Sequence, residues 1–213
     1  MRILSWNLLR FDGARPEDVT RLVEEHRPDL VLMQETIPAF AALPRLLGGG
    51  TFHRHPMPGR GHGPAAWSPE PFDARSVLLP LATRLDLPSP LLRTIRRRSA
   101  QLLSWRGVSI ANVHLDHGQR ANRRQLAALL SAEPALSLVI GDFNMIGHDR
   151  LPGFRDRGPR AWTHLAWNLV PLRLDRCLSR DLRVTARAAL ARGRSDHRPI
   201  LLDLEPSVTI RDA

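Results

Sequence analysis

The stretch Leu138-Val139-Ile140-Gly141-Asp142-Phe143-Asn144 decides the fold of this chain. Its short aliphatic run is typical of a buried strand that ends in polar residues. A second stretch, Ser195-Asp196-His197-Arg198-Pro199, precedes another aliphatic run, Ile200-Leu201-Leu202. Polar side chains at the ends of buried strands face one crevice in an α/β protein, so we expect the two stretches to meet. Their carboxylates suit a hard cation, and the histidine suits proton or phosphate chemistry.

Hydrophobic periodicity and turn residues divide the rest of the chain into short elements. Helices are predicted over residues 16–26, 40–47 and 121–132. Strands are predicted over 2–8, 30–33, 65–67, 76–81, 94–104, 108–114, 136–140, 172–178, 182–190 and 198–204, with a long loop over 149–170. Strands outnumber helices, and hairpins alternate with crossovers. We therefore predict an α/β fold in which mixed sheets pack together with helices outside, in a single domain over residues 1–213.

The composition is strongly basic and contains no lysine. The 213 residues carry a formal net charge of +10, and all 31 basic residues are arginines. Guanidinium groups bind phosphates through paired hydrogen bonds, so this charge favours a polyanionic partner, although it also fits a basic compositional bias. The sequence has no apolar run long enough for a membrane span and one cysteine, Cys177, interpreted as a small buried hydrophobe. We expect a cytoplasmic protein and a monomer.

Polar residues at other predicted strand ends extend the candidate site. Four carboxylates occupy comparable places, namely Glu35, Asp142, Asp175 and Asp196. One such acid is commonly a turn residue or half of an ion pair. Several acids at one site would repel each other unless a metal offset their charge.

Six short pieces, distributed over almost the whole chain, match a known family. In chain order they are Trp6-Asn7, Gln34-Glu35, Asn112-Val113-His114-Leu115, Gly141-Asp142-Phe143-Asn144, Arg173-Leu174-Asp175-Arg176 and Ser195-Asp196-His197-Arg198-Pro199. On these residues the sequence resembles the endonuclease/exonuclease/phosphatase superfamily, which has the pancreatic-deoxyribonuclease-like fold. The resemblance implies a four-layer sandwich of two mixed β-sheets flanked by helices. It also implies hydrolysis of a phosphate ester with Mg²⁺ or Mn²⁺.

The resemblance also implies a role for each matching residue. Glu35 would bind the divalent cation, Asn7 would help to hold the cation or orient Glu35, and Asp196 would be a further metal ligand.

The remaining roles concern the water and the phosphate. Asp142 would position or deprotonate the attacking water, and Asn144 would donate a hydrogen bond to the phosphoryl oxygens or the water. His197 would contact the phosphate while Asp175 accepts its other N–H, and His114 would be a second cationic or hydrogen-bonding group. The sequence leaves open whether Asp142 or His197 is the base.

Substrate-binding residues are predicted from arginines and aromatics near these motifs. Arg120 and Arg123 open the helix after His114, and Trp162 lies in the arginine-containing loop before Asp175. Arginines interleaved with aromatics suit nucleic acid, so we predict a nuclease that acts on DNA. The alternatives are a phospholipid headgroup or small phosphate ester as substrate, and a nucleic-acid-binding module with a degenerate site. The chain has no tyrosine, and Leu9 occupies a position where some members have an acid, which argues against an abasic-site endonuclease.

Overall fold

The computed structural model describes residues 1–81, 97–148 and 151–206. Helix α1 is Pro16–His26, α2 is Leu43–Leu46, which follows a 3-10 turn at Pro38–Ala42, and α3 is Gln119–Ala132. The first seven strands are β1 (Arg2–Asn7), β2 (Leu30–Thr36), β3 (Thr51–Arg54), β4 (Gly63–Ser68), β5 (Asp73–Leu78), β6 (Ser99–Trp105) and β7 (Val108–His114). The other seven are β8 (Leu136–Asp142), β9 (Arg155–Asp156), β10 (His164–Ala166), β11 (Val170–Leu172), β12 (Asp175–Ser179), β13 (Leu182–Ala189) and β14 (Ile200–Pro206).

The strands form two large sheets and one small ribbon. The first sheet has the order β13-β14-β1-β2-β4-β3, the second has the order β5-β6-β7-β8-β12-β9, and β10 and β11 form the ribbon. Each large sheet contains one parallel pair, β1 with β2 and β7 with β8, among antiparallel neighbours. Both sheets are therefore mixed, as predicted.

Alternation along the strands produces the layers, because successive side chains face opposite sides of a sheet. In β1, Ile3 packs into an apolar cluster that also contains Ile110 and Ile140 of the second sheet. Its neighbour Leu4 packs instead into a cluster with Val19 of α1. A third apolar cluster places α3 against the outer face of the second sheet. The fold is therefore the predicted sandwich of two mixed sheets with helices outside.

A polar cluster is also buried between the two sheets. The Asn112 amide Nδ2 donates to the carbonyl oxygens of Met33 (3.1 Å) and Ala65 (3.0 Å) and to Gln101 Oε1 (3.2 Å). Asn112 Oδ1 accepts a hydrogen bond from Gln34 Nε2 at 2.7 Å. Because Asn112 belongs to β7 and its partners include β2 and β4, the cluster joins the sheets directly beneath the ends of β2 and β7.

Several elements differ from the prediction. The polar edge strand β3 was not predicted, and the loop over 149–170 contains the short strands β9 and β10. The predicted strand 172–178 is two elements, since β11 belongs to the ribbon and β12 to the second sheet. The first three residues of the predicted strand 94–104 lie outside the described residues. No helix in the described part of the chain is long and apolar enough to cross a membrane.

Candidate active site

The two parallel strand pairs bring their carboxyl ends to the same edge of the sandwich. Asn7 ends β1, where it pairs with Gln34 of β2, and His114 ends β7 opposite Asp142 of β8. Asp142 also pairs across the sheet with Asp175 of β12. Strand register therefore gathers polar side chains at one end of each sheet, and the packing of the two sheets brings the two groups to one place.

A cleft of about 600 Å³ opens at this edge. It is lined by seven of the eight residues predicted for catalysis or metal binding: Asn7, Glu35, His114, Asp142, Asn144, Asp196 and His197. The eighth, Asp175, is buried behind the cleft, where its Oδ2 lies 2.8 Å from Nδ1 of His197.

Hydrogen bonds hold both the backbone and the ring of His197. Its own backbone N–H donates to Ser195 Oγ (3.0 Å), and its carbonyl accepts from the indole of Trp6 (3.0 Å). Burial alone would lower the pKa of His197, but the charges of Asp175 and Asp142 and the hydrogen bond to Asp175 raise it to about 10. His197 is therefore protonated at neutral pH, with Nε2 lying 3.7 Å from Asp142 Oδ2.

Asp142 is almost fully buried, with both carboxylate oxygens engaged. Oδ1 accepts the backbone N–H of Asn144 (2.9 Å), and Oδ2 accepts the amides of Asn7 (2.9 Å) and Asn144 (3.2 Å). Burial opposes ionisation, but the charge of His197 and these hydrogen bonds lower the pKa of Asp142 to about 2. Asn7 is therefore bonded to Asp142, and its predicted contact with Glu35 is not seen.

The residue before Asp142 must be glycine. Gly141 has φ +138°, and a Cβ there would lie 2.1 Å from the carbonyl oxygen of Val113 on β7. This close approach of β8 to β7 fixes where Asp142 leaves the sheet. Asn144 follows in the left-handed region, with φ 48°.

Glu35 and His114 face each other on the opposite side of the cleft. Glu35 lies in a β-bulge with φ 58°, and its Oε2 accepts the backbone N–H of Arg10 at 3.2 Å. His114 Nδ1 is 3.9 Å from Glu35 Oε1, and its Nε2 accepts a hydrogen bond from Arg98 Nη1 at 3.0 Å. Burial, and then the charge of Arg98, lowers the pKa of His114 well below its usual value. Of the two forms predicted for His114, cationic or hydrogen-bonding, this lowered pKa favours the neutral, hydrogen-bonding one.

Arg98 and His164 are among the cleft residues that were not predicted from the sequence. Arg98, which is nearly buried, bonds both His114 and Asp116 Oδ1 (3.1 Å). His164 of β10 pairs with His197 in an isolated bridge, with 4.3 Å between ring centroids. The sequence does not point to His164, because only the folded β10–β11 ribbon brings it beside His197.

The donor set suits a divalent cation. Glu35 Oε1 accepts no hydrogen bond from the described residues, so it is available to a metal ion in the cleft. Asp196 lies near the histidines instead, with Oδ1 4.0 Å from His197 Nε2 and Oδ2 3.8 Å from His164 Nδ1. Carboxylate oxygens are the ligands that Mg²⁺ and Mn²⁺ prefer. A cation bound by Glu35 would lie on the His114 side of the cleft, and a cation bound by Asp196 would lie on the His197 side.

The structure does not bring the predicted substrate residues to the cleft. Arg120 and Arg123 are exposed on α3 and are absent from the cleft lining, as is Trp162. The Trp162 ring instead lies under the guanidinium of Arg198, at 4.6 Å. The tryptophan that lines the cleft is Trp167, at the tip of the β10–β11 ribbon. Trp162 and Trp167 lie in the same predicted loop, and the sequence alone does not show which of them reaches the cleft.

Comparison with known proteins agrees with this geometry. The model of the Endonuclease/Exonuclease/phosphatase family matches residues 4–197. No curated protein sequence matches the chain.

Solved structures share the fold at low sequence identity. A conserved protein of unknown function from Enterococcus faecalis V583 is 21% identical, with 97% of this chain and 100% of that chain covered and a TM-score of 0.71. A mannosyl-6-phosphatase from Bacteroides thetaiotaomicron is 18% identical (96% and 99% covered, TM-score 0.70), and humanized D. rerio TDP2 is 18% identical (96% and 98% covered, TM-score 0.68). With the family match over nearly the whole chain, the conclusion is that this chain belongs to the endonuclease/exonuclease/phosphatase family, whose members hydrolyse phosphoester bonds.

Proposed function

We propose that this protein is a Mg²⁺- or Mn²⁺-dependent phosphodiesterase that acts on nucleic acid, with DNA as the favoured substrate. The observation that carries the proposal is the cleft in which Glu35, Asp142 and His197 converge from distant parts of the chain. A phosphodiester resists attack because its oxygens repel an incoming hydroxide, so catalysis requires cations and hydrogen-bond donors around the phosphoryl group. When bound, the divalent cation would supply charge neutralisation at a phosphoryl oxygen.

The roles of the side chains follow from their contacts. Asp142 is locked by hydrogen bonds from Asn7 and Asn144, which suits a carboxylate that orients the attacking water. A carboxylate with so low a pKa is a weak base, so orientation is favoured over proton removal. His197 is oriented by Asp175 and presents its Nε2 side to the cleft, where a protonated imidazole can donate to a phosphoryl oxygen.

Nucleic acid as the substrate is supported by charge and by the rim of the cleft. The net charge of +10 draws polyanions towards the protein. Arg98 places a guanidinium in the cleft itself, where it can bind a phosphate oxygen. Trp167 provides an exposed aromatic face on which a base can stack.

A second candidate keeps the chemistry and changes the substrate to a phospholipid headgroup or a small phosphate ester. It is favoured by exposed apolar side chains near the same opening: Ile146 lines the cleft, and Leu169 follows Trp167 on the ribbon. The two candidates differ in whether the rim contacts bases or acyl chains.

The test is a substrate panel with matched variants. Plasmid, single-stranded DNA, RNA, sphingomyelin vesicles and a chromogenic phosphodiester are incubated with Mg²⁺, Mn²⁺ or EDTA. Asp142→Asn is the variant of the site. Asp181→Asn is its matched control, because that carboxylate is exposed at the surface and pairs only loosely with Arg180.

We expect metal-dependent cleavage of DNA by the wild-type protein and by Asp181→Asn. Asp142→Asn should lose at least about 100-fold in rate, since it removes one acceptor from the water-binding position. Cleavage of lipid with nucleic acid untouched would refute the proposal, and full activity of Asp142→Asn would refute the assigned site.

A further inference from the structure

A second pocket adjoins the cleft on the far side of Trp167. It measures about 370 Å³ and includes Arg192 and Arg194 in its lining. Three residues line both pockets, namely Leu9, Trp167 and Asp196. The shared wall makes the two pockets neighbouring subsites of one continuous surface.

The wall between the pockets is topped by an exposed aromatic ring on a hydrogen-bonded turn. Trp167 is 89% exposed and occupies the tight turn between β10 and β11, with φ 51°. The turn is closed by hydrogen bonds from Asn168 N to Leu165 O (3.3 Å) and from Leu169 N to Ala166 O (3.0 Å). A non-glycine residue in the left-handed region is strained, and strain at a site edge often serves function. The ribbon therefore presents a large planar side chain to solvent between two pockets.

The second pocket has positive charge available for a ligand. Arg192 Nη1 donates to Asn168 Oδ1 at 2.8 Å, which holds the guanidinium beside the ribbon, and it forms no ion pair with any carboxylate in the described ranges. Arg194 is exposed, and within the described residues its carboxylate contact is a long one, 3.9 Å from Nε to Asp18 Oδ2. Among the described residues that line the pocket, Asp196 is the single acid, so the two arginines give this lining net positive charge. Guanidinium groups with unused donors are suited to phosphate.

We propose that this pocket binds a second phosphate of a nucleotide chain, with the intervening base stacked on Trp167. The inference rests on the proposed nuclease function and deepens it by naming a subsite next to the scissile bond. A chain with a phosphate on each side of a planar base matches the order cleft, aromatic ring, arginine pocket. A simple phospholipid such as sphingomyelin or phosphatidylglycerol carries a single phosphodiester and no planar group, so it would leave the arginines unmatched.

Dinucleotides that differ by one phosphate test the subsite. TpT contains one phosphodiester, and pTpT and TpTp add a terminal phosphate at the 5′ or 3′ end. Hydrolysis is followed by chromatography of the released nucleosides and nucleotides. The variants are Arg192→Gln/Arg194→Gln, and Arg45→Gln/Arg183→Gln as a control with the same change of charge at exposed residues away from both pockets.

For the wild type we expect kcat/KM to be about tenfold higher for one of the doubly phosphorylated dinucleotides than for TpT. The ratio should fall to near one in Arg192→Gln/Arg194→Gln and stay at the wild-type value in the control pair. The KM for that dinucleotide should also become less dependent on salt concentration, because a screened arginine–phosphate attraction is lost.

Trp167 is tested by truncation and by a conservative change. Trp167→Ala should raise KM for the dinucleotides roughly tenfold, within the range that base-stacking aromatics contribute, and Trp167→Phe should restore most of the binding. Melting temperatures establish that each variant is folded.

The outcomes separate the inference from the function beneath it. Nucleotide hydrolysis with no phosphate preference, or with a preference that survives in Arg192→Gln/Arg194→Gln, overturns the subsite and leaves the nuclease function intact. If no dinucleotide is hydrolysed, and Trp167 instead controls binding to vesicles of phosphatidylglycerol and phosphatidylcholine, both the subsite and the nuclease function are wrong.

Discussion

Replacing Asn112 by alanine should loosen the joint between the two sheets. Its amide is fully buried and takes part in four hydrogen bonds, to Gln34, Gln101 and the carbonyls of Met33 and Ala65. Gln34, Gln101 and Asn112 are all buried, so the partners left behind would be without their hydrogen bonds in the core. At about 1 kcal/mol for each bond, the four bonds amount to about 4 kcal/mol.

That loss is large against the roughly 5–15 kcal/mol that stabilises a typical domain. For a chain of this size it corresponds to a fall in Tm of about 8–16 °C. Thermal and urea unfolding, followed by circular dichroism, measure the change. Gln119→Ala is the control, because its amide bonds Ile146 at the surface and its loss should cost about 0.5 kcal/mol or less.

The variant should also lose activity while it is still folded. Gln34 precedes Glu35, and Asn112 lies two residues before His114, so the cluster sets the register between the two sides of the cleft. We expect kcat/KM for a phosphodiester to drop at least about tenfold at 20 °C, since small misplacements at a site are costly. A Tm within 3 °C of the wild type with normal kinetics would refute the reasoning.

Three further changes test other parts of the account. Asp175→Asn removes the charge that raises the pKa of His197, so the alkaline limit of the kcat–pH profile should move to lower pH. We also expect kcat to fall about 100-fold, with a smaller change in KM. An alkaline limit that does not move would contradict the pairing of Asp175 with His197. Asp156→Asn should destabilise the protein by about 2 kcal/mol at pH 7, because its carboxylate accepts two hydrogen bonds from Arg173. Although burial opposes it, the hydrogen bonds and charge of Arg173 lower the pKa of Asp156 in the folded state. The stabilisation is therefore present above about pH 4 and is lost as the pH falls through that lowered pKa. A stability difference between Asp156→Asn and the wild type that persists at pH 2 in urea unfolding would count against this role of Asp156. Gly141→Ala should reduce both Tm and activity, since the added Cβ would lie 2.1 Å from a backbone oxygen, and a fully active, stable variant would exclude that close approach.

The sequence predicted best those elements whose local signals agreed with their tertiary surroundings. Helix α1 has proline in its first turn, an acid that caps the Arg15 backbone N–H and an apolar stripe, and its predicted limits of 16–26 match the structure. Strand β7 also matches at 108–114. The edge strand β3 is polar and half-buried, so alternation gives it no signal. The ribbon strands are three residues long, and only pairing across the chain defines them.

In the candidate site too, residues with a local sequence signal were predicted, and residues placed only by tertiary contacts were missed. Glu35, Asp142 and His197 were found because they end or precede buried strands, and strand order then brings them together. His164 was missed because its place beside His197 depends on the ribbon. Of the two tryptophans in this loop, Trp162 rather than Trp167 was assigned to the substrate for the same reason, since the turn that exposes Trp167 is made by backbone hydrogen bonds that have no sequence signature.

The most direct test of the central claim is the position of a bound metal ion. Crystals soaked in Mn²⁺ and measured near the manganese absorption edge give an anomalous difference map of the cleft. We expect a peak inside the cleft, within about 2.0–2.3 Å of a carboxylate oxygen of Glu35 or Asp196. Manganese bound only outside the cleft, or absent while the soaked protein still hydrolyses its substrate, would contradict it.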